Sequence, residues 1–317
     1  MPRSTAFSTR LTASRLACAT LVLLGACGWA TPAAAATAPK PASGVAGSAA
    51  TRPPVMVELP SALPDKTRLR GAWLSATAGP AAANAKRRPA VILLHGCGGA
   101  FDSQGKLFTR TQRYASLLNN EGWHVLVLDS YGPRGERSVC KQRTGHRRIT
   151  QLQRRRDVFG ALVWLAERAD VDPERLALLG WSNGGSTVLA STNGQHAEVN
   201  ESAHKPRAAV AFYPGCEAEE RRGYAANTPL LLMLGEDDDW TPSQACVNLA
   251  QADTTHISYK LYPGAHHGFD SRAPLKLRRD VPNGVRPGEG VHVGGEPDAR
   301  RDSVKVVLAF LRERLGP

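Results

Sequence analysis

Short, mostly apolar stretches punctuate this chain at residues 89–94, 123–129, 176–180 and 229–235, and each runs directly into a polar or glycine-rich turn. They are too short for helices, and their lack of alternation predicts strands buried on both faces. A fifth stretch, 257–262, alternates polar and apolar residues and reads as an edge-type strand; residues 55–59 and 69–74 fit an antiparallel start to the same sheet. Between these lie segments of helical period at 106–121, 149–169, 242–252 and 297–315. Strands alternating with helices predict an α/β fold, a mostly parallel central sheet with helices on both faces. A chain of 317 residues, 42% hydrophobic, suffices for one such core, and no internal repeat is visible.

Open sheets of this kind bind ligands at the carboxyl ends of their strands, so the turns that follow the apolar stretches are where chemistry is expected. The sharpest signal is Gly180-Trp181-Ser182-Asn183-Gly184-Gly185. Glycines two residues to either side of a serine allow a turn too tight for side chains, and a helix beginning near Asn183 aims its unpaired N–H groups at Ser182 Oγ. Upstream, His95-Gly96-Cys97-Gly98-Gly99 is a glycine-rich loop at a strand end. The N–H groups of Cys97 and Asn183 are the candidate oxyanion donors, with His95 bracing the loop. The loop has neither G-x-G-x-x-G nor G-K-[ST], which argues against a nucleotide cradle. After residue 235 three aspartates compete to orient a base, and Asp238 is preferred because a G-x-x-D turn closed by Pro242 points it inward; Asp237 and Asp239 then read as solvated or capping. Of the pair His266-His267, the base is His267, beside Gly268 and Phe269, which permit close approach and a dry wall. No H-E-x-x-H or C-x-x-C cluster accompanies the pair, so neither metal nor cofactor is expected. Tyr131, Arg134, Trp181 and Trp240 are the candidate substrate-binding residues, although Arg134 reads more readily as a turn brace and the tryptophans equally as core.

These four motifs, with Tyr262-Pro263-Gly264-Ala265 leading into the histidines, resemble the dienelactone hydrolase family of the α/β-hydrolase superfamily over residues 55–315. The resemblance implies a nucleophile at Ser182, an acid at Asp238 and a base at His267, in the chain order of that superfamily. Dienelactone hydrolases proper carry a cysteine nucleophile, so the serine points to an esterase relative acting on a small-molecule ester. Two other readings stay open: a peptidase or amidase like the prolyl oligopeptidases, and a non-catalytic exported binding protein on a hydrolase scaffold.

The amino terminus changes the expected location. Arg3, Arg10 and Arg15 precede an apolar stretch at 16–26, and Ala33 to Ala36 supply an A-x-A pattern, so residues 1–36 read as a signal peptide, 37–54 as a flexible linker and 55–317 as the catalytic domain. Leu24-Gly25-Ala26-Cys27 also resembles a lipobox, which would make Cys27 a lipid anchor. Export suits the cysteines outside the leader, which form an even set. The expected pairing joins loops leaving neighbouring strands, Cys97 with Cys140 and Cys216 with Cys246. The formal charge of +12 falls by three, to +9, without Arg3, Arg10 and Arg15. Lys141, Arg143, Arg147, Arg148, Arg154, Arg155 and Arg156 read as a solvated basic face, and without interleaved aromatics no nucleic-acid partner is expected.

Overall fold

The computed structural model describes residues 53–76 and 86–316. The leader, Cys18, Cys27 and all but the last two residues of the linker lie outside the described residues. The chain runs β1 (Val55–Pro60), β2 (Arg68–Leu74), β3 (Arg88–Leu94), α1 (Thr109–Asn120), β4 (His124–Asp129), α2 (Gln151–Ala166), β5 (Val171–Trp181) and α3 (Asn183–Thr192). It continues through α4 (Ala197–Glu201), β6 (Ala208–Phe212), α5 (Glu217–Arg222), β7 (Leu230–Gly235), α6 (Gln244–Ala252), β8 (Ile257–Tyr262), β9 (Lys276–Arg278), β10 (Val291–Val293) and α7 (Pro297–Leu315). The main sheet has the order β1-β2-β4-β3-β5-β6-β7-β8, while β9 and β10 form a separate small ladder. Strands β1 and β2, and β2 and β4, pair antiparallel; from β4 to β8 every pairing is parallel.

The uninterrupted apolar strands are explained by burial on two sides. Successive strand side chains point to opposite faces. In β3, Ala90, Ile92 and Leu94 join one core with Leu162 of α2, Val188 of α3 and Leu249 of α6. Val91 and Leu93 join the other with Tyr114 and Leu118 of α1 and Val307 and Leu311 of α7. The short β9 and β10 and, within the main sheet, β6 have no counterpart in the sequence reading. In β6 the reason is composition. Its five residues, Ala-Ala-Val-Ala-Phe, are all buried, but three are alanines, whose strand preference is weak. Hydrogen-bonded placement between β5 and β7, not side-chain bulk, makes this segment a strand.

The basic segment departs from the expected solvated face. Arg154 and Arg155 are buried, at 1% and 6% exposure. Arg155 and Arg156 both grip Glu198, with Arg155 Nη2 at 2.9 Å and Arg156 Nε at 2.7 Å, clamping α2 to α4. The grip of Arg156 holds the Glu198 carboxyl below its usual range. Both expected disulfides are present, Cys97–Cys140 and Cys216–Cys246.

Candidate functional site

Three strand ends converge at the carboxyl edge of the sheet. Strand β5 ends at Trp181, and Ser182 follows with φ 53° and ψ −117°, a conformation that non-glycine residues rarely adopt. Such strain costs on the order of 1–3 kcal/mol and persists only where the surroundings enforce it. Here Ser182 N–H donates to Phe212 O at 2.9 Å, and α3 starts at the next residue, with Ser186 N–H on Ser182 O. The flanking glycines are sterically required. A Cβ on Gly180 would lie 2.3 Å from Gly184 O, and one on Gly184 would lie 2.0 Å from Leu94 O.

Ser182 Oγ lies 2.9 Å from His267 Nε2, and His267 Nδ1 lies 2.9 Å from Asp238 Oδ2. The carboxylate is held from its other side, since Asp238 Oδ1 accepts the N–H groups of Trp240 and Thr241 at 2.9 Å each. Asp238 and His267 are both 4% exposed. The geometry therefore links hydroxyl, imidazole and carboxylate in one hydrogen-bonded line, with the middle group shielded from water. Such a line can move the serine proton to imidazole while a neighbouring anion steadies the resulting charge.

The walls around the base differ from expectation. Phe269 is fully buried and packs on Tyr213 and Tyr262. The rings beside His267 belong to Tyr213, at 4.6 Å, and Trp240, at 4.7 Å. Tyr213, at the end of the unrecognised β6, was not among the candidates. It carries φ 35°, and its hydroxyl donates to Asp270 Oδ1 at 2.7 Å. Asp270 also accepts Trp181 Nε1–H at 3.0 Å and pairs with Arg110 at 3.3 Å, so one buried carboxylate steadies residues beside both the serine and the base. A tyrosine following an apolar segment was the available signal, but only with β6 in place does it point to the site.

A cleft of about 440 Å³ opens over Ser182 and is lined by Cys97, Asn183, Trp240, Arg147 and the 282–287 loop. Of the four candidate substrate-binding residues, Trp240 borders this cleft. The other three substrate-binding candidates do not. Trp181 is buried against Tyr114 and Phe212. Tyr131 is fully buried, and its hydroxyl donates to Asn183 Oδ1 at 2.9 Å. Arg134 forms a bidentate pair with Asp157 at 2.7 and 2.8 Å, a turn brace in place of a ligand clamp. Arg147, read from sequence only as part of a basic face, is half-buried on the cleft wall, with a buried Nε that has no hydrogen-bond partner among the described residues.

Among the described residues, neither Cys97 N–H nor Asn183 N–H has a protein acceptor, and both residues border the cleft. Arg154 ties their two segments together: Nη2 donates to His95 O at 2.9 Å and Nη1 to Asn183 Oδ1. His95 braces the loop as a neutral ring, its Nδ1–H directed at Gly96 O at 2.8 Å and its Nε2 accepting Ser130 N–H at 3.3 Å. Burial first, then the Arg154 charge, lowers its pKa from the ordinary 6.5 to about 3. The first disulfide, from Cys97 to Cys140, lies against Tyr131 and Val139 behind the loop.

Comparison with known proteins places this arrangement. The family model for the dienelactone hydrolase family matches residues 75–313. A Bradyrhizobium protein described as a probable 2-oxo-3-(5-oxofuran-2-ylidene)propanoate lactonase is 26% identical over 199 residues, covering 58% of this chain and 74% of its own length. An uncharacterized Mycobacterium tuberculosis protein is 26% identical over 261 residues, covering 75% of this chain and 83% of its own. Among solved structures, a dienelactone hydrolase-like promiscuous phosphotriesterase from metagenomic libraries superposes with a TM-score of 0.56 at 18% identity, covering 84% of this chain and 100% of that one. A puromycin-hydrolyzing peptidase of Mycobacterium tuberculosis superposes with a TM-score of 0.58 at 20% identity, covering 83% of this chain but 40% of its own. The structural likenesses establish the α/β-hydrolase fold, and the family match over most of the length establishes descent: this chain belongs to the dienelactone hydrolase family.

Proposed function

We propose that the protein is an exported serine esterase that cleaves small carboxylic esters through Ser182, His267 and Asp238. The observation that carries this reading is the pair of 2.9 Å contacts linking Ser182 Oγ, His267 and Asp238 on a strained nucleophile turn. Ser182 Oγ attacks the ester carbonyl carbon as its proton passes to His267 Nε2, and the N–H groups of Cys97 and Asn183 bind the oxyanion. The bond to the alcohol breaks as His267 returns the proton to the leaving oxygen. Water then repeats the sequence on the acyl-enzyme and releases the acid. The serine, in place of the cysteine of dienelactone hydrolases proper, supports simple esters as substrates. The cleft of about 440 Å³ suits a small molecule. Two disulfides, and the signal-like residues 1–36 that lie outside the described residues, support export.

The test is Ser182→Ala assayed on p-nitrophenyl esters of graded acyl length. We expect kcat to fall by at least about 10⁴-fold with the circular dichroism spectrum unchanged, as when one member of such a relay is deleted. Undiminished turnover would reject the assignment. Matched esters and anilides separate this reading from a peptidase, and labelling of Ser182 by a fluorophosphonate separates it from a non-catalytic scaffold.

A further inference from the structure

The loops that carry Asp238 and His267 bring a second group of ligating side chains together outside the cleft. Asp239, His266 and, from β10, His292 each present a ligating atom, and these atoms all lie within 4.8 Å of one another. All three residues are partly exposed. None touches Ser182, and the sequence reading, which saw only the adjacent histidines, had no means of adding His292, 26 residues beyond His266.

The group is oriented from behind. His266 Nδ1–H donates to Asp237 O at 2.7 Å, which fixes the tautomer and leaves Nε2 with a free lone pair. A backbone carbonyl on the far ring nitrogen is how metal-binding histidines are commonly aimed. The His266 and His292 rings lie 5.1 Å apart with their planes 32° from parallel. The Asp239 carboxylate is held in place by His292 N–H, which donates to Oδ1 at 2.8 Å, while Oδ2 lies 2.7 Å from His292 Nδ1.

We propose that Asp239, His266 and His292 form a binding site for a divalent transition-metal ion of the zinc type, with water completing its coordination. Two imidazoles and one carboxylate suit zinc and its first-row neighbours, whereas calcium and magnesium require oxygen ligands. Bond lengths of roughly 2.0–2.1 Å in a tetrahedral shell bring ligand atoms to about 3.3 Å of one another. A turn of the His292 ring that parts Nδ1 from Asp239 Oδ2, now 2.7 Å apart, with a tilt of the His266 ring about its hydrogen bond to Asp237 O, supplies that geometry. The ion would join the loop after β7, the loop after β8 and β10, whose following residue, Gly294, donates its N–H to His267 O at 3.0 Å. It touches no reacting atom, so it acts on stability and not on the chemical step. The proposal stands independently of the esterase reading.

The experiment uses untagged protein stripped with chelator and titrated with Zn²⁺ by calorimetry, with thermal melting followed in parallel. The expected result is one equivalent bound per chain and a raised Tm. His292→Ala and Asp239→Asn should each weaken binding by more than about tenfold and abolish the Tm rise, while melting as cooperatively as the stripped wild type. Cobalt substitution should give visible d–d bands in the wild type that are absent from His292→Ala. Failure of the wild type to bind Zn²⁺, or undiminished binding in both variants, would overturn the site.

Discussion

At the scale of single residues, the proposed chemistry depends on groups that take no part in it. Arg154 is a nearly fully buried cation whose job is geometric, joining His95 O to Asn183 Oδ1 and so the glycine-rich loop to the Ser182 turn. Arg154→Met keeps the bulk and removes the charged donors. It should cost about 2–4 kcal/mol in urea unfolding, because the acceptors left behind are buried, and should lower kcat more than it raises KM. His95 makes the fold acid-sensitive. The unfolded chain takes up a proton below its ordinary pKa of 6.5, but the folded chain holds the ring neutral until about 3. This contribution to stability is therefore whole above pH 6.5 and is lost as the pH falls through that window, by on the order of a few kcal/mol. Burial also lowers the pKa of His124, which acts in the same direction. Urea midpoints measured at pH 7.5 and 4.5 should converge in His95→Asn relative to wild type; an unchanged pH difference would rule His95 out as the cause.

At the scale of elements, loops at strand ends assemble the site and covalent links hold them. The Cys97–Cys140 bridge spans 43 residues and Cys216–Cys246 spans 30. By the chain-entropy argument each contributes about 4 kcal/mol against unfolding. Cys97→Ser with Cys140→Ser should lower stability by that order and also reduce kcat, since Cys97 N–H is a proposed oxyanion donor; stopped-flow acylation rates would register the second effect separately. The cleft-lining residues 282–287 lie between β9 and β10, far along the chain from Ser182. Replacing residues 279–290 by a short glycine-serine linker should open the cleft and flatten the dependence of kcat/KM on acyl length. The strands that lead to Ser182 and Asp238 were legible because two-sided burial writes itself as an unbroken apolar run, and the edge strand β8, which leads to His267, because its residues alternate. Strand β6 was not, because alanine carries little strand preference of its own, and Tyr213 was lost with it.

At the scale of the whole molecule, charge and sheet order decide what the cleft meets. The chain carries a net positive formal charge, and Arg147 lines the cleft. A field of this sign draws anionic ligands toward the cleft in a salt-dependent manner. Esters bearing a carboxylate should therefore show higher kcat/KM than neutral analogues at low ionic strength. The preference should shrink as salt is added and largely vanish in Arg147→Met. Among the described residues, no helix is long and apolar enough to cross a membrane. The sequence alone determined the α/β class, the tight serine turn and the order along the chain of the serine, aspartate and histidine proposed as the relay. Those features follow from local periodicity and from glycine sterics within a few residues. Tertiary structure alone decided that Arg154 is a buried bridge, that Tyr131 is a brace, that Tyr213 packs against His267, and that Asp239 meets His266 and His292. Each of those roles depends on a partner distant in the chain, 29 residues away for Asn183 on Arg154 and 53 for His292 on Asp239. Whether a charge is solvated or buried is set by what the fold packs against it, and a linear pattern does not encode that.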